Sequence, residues 1–258
     1  MPETAFSILT RELCVVAREA GAHDIPVIIG GGMGLLLKDE VIRKGRFDTL
    51  RSYPPVRTTS DLDLFLDTEI IADSTRMEKL RGVLDRLGFN PIEGARYYQF
   101  VKEMPQSSAL REVKLDLLAP LPEAGKVIAD LRRIRPPGFR GLHAHVTPEA
   151  LTVEEYLLPV SLKCDDAEVE VFVPHPFSYI VLKLFAFRDR RNDPEKQFGG
   201  YHSFDIYTAL AMMTEEEFLQ GRELRGRYAE TAQMTEAQEI VEEFFSSETD
   251  QGMLRMRE

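Results

Sequence analysis

The hydrophobic positions of this chain change their period along its length. Phe6, Leu9, Leu13, Val16 and Ala17 recur at helical steps, which predicts an amphipathic helix over residues 5–20 with Gly21 at its end. Ile25-Pro26-Val27-Ile28-Ile29 is a short apolar strand that runs into Gly30-Gly31-Gly32, and residues 33–37 resume as a helix. Residues 38–56 are polar and carry Lys38, Arg43, Lys44, Arg46 and Arg51 with Pro54 and Pro55. They predict a helix end and then a basic loop. Apolar residues return at 62–66 as a strand. A helix is expected over 74–88, with Ser74 as its N-cap and Gly88 just past its end. Residues 97–101 alternate weakly and 112–118 clearly, so both predict strands. The segment 120–148 is broken by Pro120, Pro122, Pro136, Pro137 and Pro148, and reads as irregular with a short helix near 124–133. A last strand is expected at 169–173. From Pro176 onward the period is helical only, over 178–190, 203–213, 215–228 and 235–245, with a frayed tail after Ser246. The pattern divides the chain into a mixed α/β part over 1–174 and a helical part over 175–258.

The strand at 62–66 belongs to a longer run, Arg57-Thr58-Thr59-Ser60-Asp61-Leu62-Asp63-Leu64-Phe65-Leu66. Residues two apart on a strand share a face. Asp61 and Asp63 therefore project together, with Leu62, Leu64 and Leu66 on the opposite side. Two like charges side by side repel, and a cation between them relieves the repulsion. In the strand at 112–118, Lys114 and Asp116 share the polar face opposite Val113, Leu115 and Leu117. A glycine turn frees backbone N–H groups, and the helix after it adds the positive end of its dipole. Gly31 and Gly32 followed by paired carboxylates thus predict a site for a nucleoside triphosphate with Mg²⁺. Each residue also has a structural reading. Asp61 and Asp63 could be a solvated pair, Arg57 could pair with Asp67 or Glu69, and Lys183 could extend to solvent from a core helix. His143 and His145 alternate without an evident third ligand and read as a loop edge.

Composition narrows the picture. Of 258 residues, 43% are hydrophobic and 29% charged, which is ordinary for a globular chain with a sizeable core. A formal net charge of −11 argues against one broad basic face for nucleic acid. Cys14 and Cys164 are far apart and lie in no CxxC, so neither a zinc site nor a disulfide framework is expected, and the expected compartment is cytoplasmic. The N-terminus has no uninterrupted apolar core of the signal-peptide kind, and no apolar run approaches a membrane span.

The order Gly31-Gly32, Asp61-x-Asp63, Asp116 resembles the nucleotidyltransferase superfamily with the polymerase-beta-like site. The run Arg57-x-Thr59-x-Asp61-x-Asp63 is similar to the signature of one branch, the AbiEii/AbiGii toxin family, whose relatives include the MenT toxins. The resemblance covers about residues 27–210. It implies an α/β (α+β) fold: a nucleotidyltransferase mixed sheet flanked by helices, with a C-terminal helical part. It implies an enzyme that moves NMP from an NTP such as ATP to an acceptor hydroxyl with Mg²⁺, or Mn²⁺ in its place, as the toxin of a toxin–antitoxin pair. Asp61, Asp63 and Asp116 would hold metal, with Asp116 also activating the acceptor. Gly31, Gly32, Arg57, Thr59 and Lys183 would bind the nucleotide, and Asp205 would orient Lys183 or the acceptor. The acceptor could be tRNA, a protein or a small molecule, and a cognate antitoxin would be a partner. The sequence departs from the family at Met33, where a Ser or Thr often follows the glycines, and in the segment from Phe198 to His202. These departures support a rival reading as an inactive binding or regulatory module.

Overall fold

In the computed structural model the described residues are 4–121, 128–129, 133–136, 141–164 and 167–257. The chain divides into two compact units. The first comprises residues 1–38, 57–148 and 157–174; the second comprises 39–56, 149–156 and 175–258.

The first unit is built on a mixed sheet. Its strands are β1 (Ile28–Ile29), β2 (Asp61–Phe65), β3 (Asn90–Pro91), β4 (Gln99–Glu103), β5 (Glu112–Ala119), β6 (Ile128–Ala129), β7 (Arg133–Arg135), β8 (Ala144–Val146), β9 (Leu158–Cys164) and β10 (Ala167–Val173). Their order is β6-β7-β8-β5-β2-β1-β10-β9, with β4 on the N-terminal half of β5 and β3 beyond it. β2–β5, β5–β8 and β1–β10 are parallel, and the other pairs antiparallel. One face carries the wholly buried Leu62, Phe100, Val113, Leu115, Leu117 and Ile134.

Helices α1 (Ala5–Gly21), α3 (Thr68–Ala72) and α4 (Ser74–Arg86) belong to this unit. α1 turns Ile8, Leu9, Leu13 and Val16 inward, and Thr4 caps it by accepting from the Ser7 N–H. Lys102 on β4 pairs with the buried Glu12 of α1 at 2.7 Å, so the one acid on that apolar stripe is compensated. The N-cap of α4 is Asp73, one residue before the expected Ser74, because its carboxylate accepts from the N–H groups of both Thr75 and Arg76. Gly88 lies just past the end of α4 with φ +82, where glycine costs least.

The helix after the glycines, α2 (Gly31–Gly45), is longer than the apolar run predicts. Its last turns are polar and held by Arg43–Asp39 at 2.7 Å and Lys44–Glu40 at 2.6 Å, both one helical turn apart. The expected helix end therefore runs to Gly45 with Arg43 and Lys44 paired, and residues 46–56 are the loop that follows.

Residues 120–147 are not helical where they are described. Ile128–Ala129 and Arg133–Arg135 are strands, and the rest of the expected helix near 124–133 lies outside the described residues. His143 lies on the loop edge just before β8, as expected, whereas His145 lies within the strand. The fold also corrects the reading of the cysteines. Cys14 on α1 and Cys164 at the end of β9 form a disulfide across a sequence separation of 150, with Cα atoms 5.7 Å apart. Spacing along the chain could not show this pairing, because it arises from α1 packing on the sheet edge.

The second unit is helical, with α5 (Pro176–Arg190), α6 (Gly200–Ala211), α7 (Glu215–Arg227), α8 (Ala232–Phe244) and α9 (Gln251–Arg257). The tail after Ser246 thus ends in a helix rather than fraying. Val181, Leu184, Phe185, Phe187, Ile206, Met234, Ala237, Ile240 and Phe244 form its core. No helix of the described residues is long and apolar enough to cross a membrane.

Candidate active site

β2 and β5 run side by side in parallel, with Asp63 opposite Asp116 and Asp61 opposite Lys114. Side chains directly opposite on paired strands lie on one face. All three carboxylates are therefore on the polar face, each half-buried, while the leucines between them are buried behind the sheet. On the other side of β5, Gln99 of β4 lies opposite Asp116, and its Nε2 donates to Asp116 Oδ2 at 3.1 Å. Asp116 thus stands between a like charge and an amide donor. Burial, and then the charges of Asp63 and Asp61, push its carboxyl up from an ordinary 3.8 to about 6; Gln99 and Lys114 pull it down. Sequence reasoning missed Gln99. The signal was available in the alternation of residues 97–101, which puts Gln99 on a polar position of the neighbouring strand.

The glycines explain how a helix N-terminus reaches this pair. The Gly30 N–H donates to the Asp63 carbonyl at 2.7 Å, which ties the turn to β2. Gly31 opens α2 with φ +56, and a Cβ there would fall on Asp63 Oδ2. At Gly32 a Cβ would meet Thr59 Cβ at 2.9 Å. Both positions are therefore closed to side chains by the close approach of the carboxylate strand. The first turn of α2 leaves its N–H groups without partners inside the helix, beside Asp63. Thr59 supports the same corner: its Oγ1 accepts from the Asp61 N–H at 3.3 Å, while Ser60 Oγ donates to Asp61 Oδ1 at 3.0 Å. Met33, which departs from the family pattern, is wholly buried and serves the core.

Among the described residues, no group of three His, Cys, Asp or Glu side chains is arranged to hold a metal ion by itself. The donor set still fits Mg²⁺. That ion keeps several waters and binds through one or two carboxylates plus substrate phosphates rather than an all-protein cage. Asp63 and Asp116, opposite each other on β2 and β5, supply such a pair, and after burial it is their mutual repulsion that raises the Asp116 carboxyl.

Lys183 and Asp205 lie in the second unit. Lys183 on α5 and Asp205 on α6 form an ion pair at 2.7 Å, with side chains only 10% and 1% exposed. α6 starts after three consecutive residues with positive φ, Gln197, Phe198 and Gly199. A Cβ on Gly199 would meet Phe187 at 2.9 Å, so this departure from the family pattern is a tight left-handed turn against the helical core. Arg57 is half-buried on the extended segment leading into β2. At the end of α5, Arg188 pairs with Glu236 and Arg191 lies 5.0 Å over the Phe244 ring.

The fold resembles several solved structures at low identity. A nucleotidyltransferase-like protein from Paracoccidioides brasiliensis superposes with a TM-score of 0.43 at 14% identity, over 93% of this chain and 95% of its own. The solution structure of the antibiotic-resistance factor ANT(2'')-Ia gives 0.42 at 13% identity, over 86% of this chain and 94% of its own. The crystal structure of the same factor in complex with adenylyl-2''-tobramycin gives 0.38 at 14% identity, over 86% and 98%. No family model matches the chain. No curated protein matches it by sequence.

Proposed function

We propose that the protein is a Mg²⁺-dependent nucleotidyltransferase that moves NMP from an NTP to an acceptor hydroxyl. The observation that carries this reading is the facing pair Asp63 and Asp116 set against the N-terminus of α2. Carboxylates hold a cation there, and the N–H groups of Gly31 and Gly32 are close enough to receive phosphate oxygens. Mg²⁺, when bound, neutralises phosphate charge and polarises the reacting phosphorus. Asp61 and Asp63 would hold it, with Asp116 as a shared ligand or as the base for the acceptor hydroxyl. Gln99 keeps one Asp116 oxygen occupied and so aims the other. Mn²⁺ has the same oxygen preference and would serve in its place.

The sequence resemblance adds finer assignments. Arg57 and Thr59 are assigned to the nucleotide and Lys183 to triphosphate oxygens, with Asp205 orienting Lys183. The same resemblance gives a toxin of a toxin–antitoxin pair, with tRNA among its acceptors. The test is pyrophosphate release from each NTP with Mg²⁺, with and without total tRNA. The wild type is expected to release pyrophosphate and Asp63→Ala to lose it; equal release by both would end the reading.

A further inference from the structure

The polar face of the first unit does not end at the carboxylates. His145 on β8 lies opposite Leu118 of β5, which is two residues beyond Asp116 and so on the same face. Arg133 on β7 lies opposite His145 in turn, and Arg135 is two residues further along the same side of β7. Burial follows this register: Arg133, Arg135 and His145 are half-buried, while Ile134, Ala144 and Val146 between them are buried. Aromatic rings knit the cationic groups together. Tyr97 stacks on His143 with centroids 4.5 Å apart and planes 16° apart. The Arg133 guanidinium lies 5.3 Å over the Tyr97 ring and the Arg96 guanidinium 4.8 Å over it. Tyr98 packs against His145 at 5.3 Å. Arg96 also donates to the Tyr97 hydroxyl at 2.6 Å. These contacts hold the Arg133 and Arg96 guanidiniums in place, and Arg135 donates to the Pro136 carbonyl at 3.4 Å, so less side-chain entropy is lost when an anion binds.

The face is thus divided by charge. Asp61, Asp63 and Asp116 lie on β2 and β5, and Arg133 and Arg135 lie on β7. From β5 to β7 is two strand spacings, roughly 10 Å. Resting on the nucleotidyltransferase reading, we propose that Arg133 and Arg135 bind a phosphate carried by the acceptor. The acceptor's attacking hydroxyl would then lie beside Asp116, roughly 10 Å from that phosphate. Guanidinium forks match phosphate oxygens in pairs, which an ammonium cannot do. A polycationic acceptor would place its own charge against Arg133 and Arg135 and is disfavoured. The phosphate could belong to a small phosphate ester or to the backbone of an oligonucleotide.

The test uses the whole protein with Mg²⁺ and a saturating non-hydrolysable NTP analogue, so that the nucleotide position is filled. Inorganic phosphate is titrated at constant ionic strength. The wild type is expected to bind it, and Arg133→Ala/Arg135→Ala to bind it about tenfold or more weakly, the loss of charge-assisted contacts. Arg133→Lys/Arg135→Lys should fall between them, and thermal melts of both variants show whether they are folded. Equal phosphate affinity in wild type and folded alanine variant overturns the proposal. A second arm follows label from the α-phosphate of an NTP. Glucose, glucose phosphate, an oligoribonucleotide and a polyamine sugar are offered as acceptors. Label on glucose phosphate or on the oligoribonucleotide supports the proposal and tells the two sources apart. Label on glucose or the polyamine sugar at a rate indifferent to Arg133 and Arg135 overturns it. Absence of NTP binding by the wild type strikes the transferase reading instead, and the phosphate titration still decides whether the anion position exists.

Discussion

Asp116 is the residue on which the proposed chemistry turns. Its carboxyl titrates at about 6 because it is buried beside Asp63. For an acid with a raised value, the folded state holds the proton more tightly than the unfolded chain does. The stability this gives is fully present below 3.8 and is lost as pH rises through about 6. Cation binding runs the other way, since a metal competes with that proton. Mg²⁺ affinity should therefore weaken below pH about 6, approaching tenfold per unit. Calorimetric titration from about pH 4 to about pH 8, roughly two units either side of that value, checks it. Asp116→Asn removes both the charge and the titration, so its Mg²⁺ affinity should be weak and flat with pH. Gly31 gives a second prediction at this scale. Its φ is +56 and its Cβ position is taken by Asp63 Oδ2, so Gly31→Ala forces strain and a shift of the carboxylate. The left-handed backbone alone costs about 1–2 kcal/mol, and the variant should melt lower and bind NTP more weakly. Unchanged melting and NTP affinity would show that the close approach is dispensable.

At the scale of elements, the strands that carry the carboxylates were legible and their neighbours were not. β2 and β5 alternate leucines with acids over several residues, a pattern that only a half-buried strand satisfies. β8 is three residues long and sits among prolines, so its period is too short to register. β9 alternates cleanly, but Pro159 at its second position argues against a strand by sequence; it is tolerated because β9 ends the strand order and pairs with β10 alone. The polar stretch after Leu37 hid the second half of α2, because paired charges one turn apart leave no apolar stripe to read. α5 and α6 carry the third prediction. Lys183 and Asp205 are buried as a pair, and removing one partner takes this ion pair from a charge that stays buried. Lys183→Met and Asp205→Leu should each cost about 3–5 kcal/mol of stability, with the double variant recovering most of it. Denaturant unfolding of the three variants decides whether the pair acts as a unit; additive losses would refute that.

For the whole molecule, the sequence order of Gly31, Asp61, Asp63 and Asp116 was readable, but the way distant segments meet was not. Gln99 reaches Asp116, and Cys14 reaches Cys164, only through strand order and helix docking. The disulfide ties the first helix to the edge of the sheet. A link closing so long a loop restricts the unfolded chain, typically by about 2–5 kcal/mol. Reductant should lower the melting temperature of the wild type, while Cys14→Ala/Cys164→Ala melts lower and is indifferent to reductant. A wild type equally indifferent would show that the bond does not stabilise the protein. The central claim is that Asp63 and Asp116, with the N-terminus of α2, hold a metal-bound triphosphate. Its most direct measurement is calorimetric binding of a non-hydrolysable NTP analogue with and without Mg²⁺, in wild type and Asp63→Ala. The account predicts binding that needs Mg²⁺ and is lost in the variant; binding indifferent to Mg²⁺ and to Asp63, or no binding by the folded wild type, would contradict it.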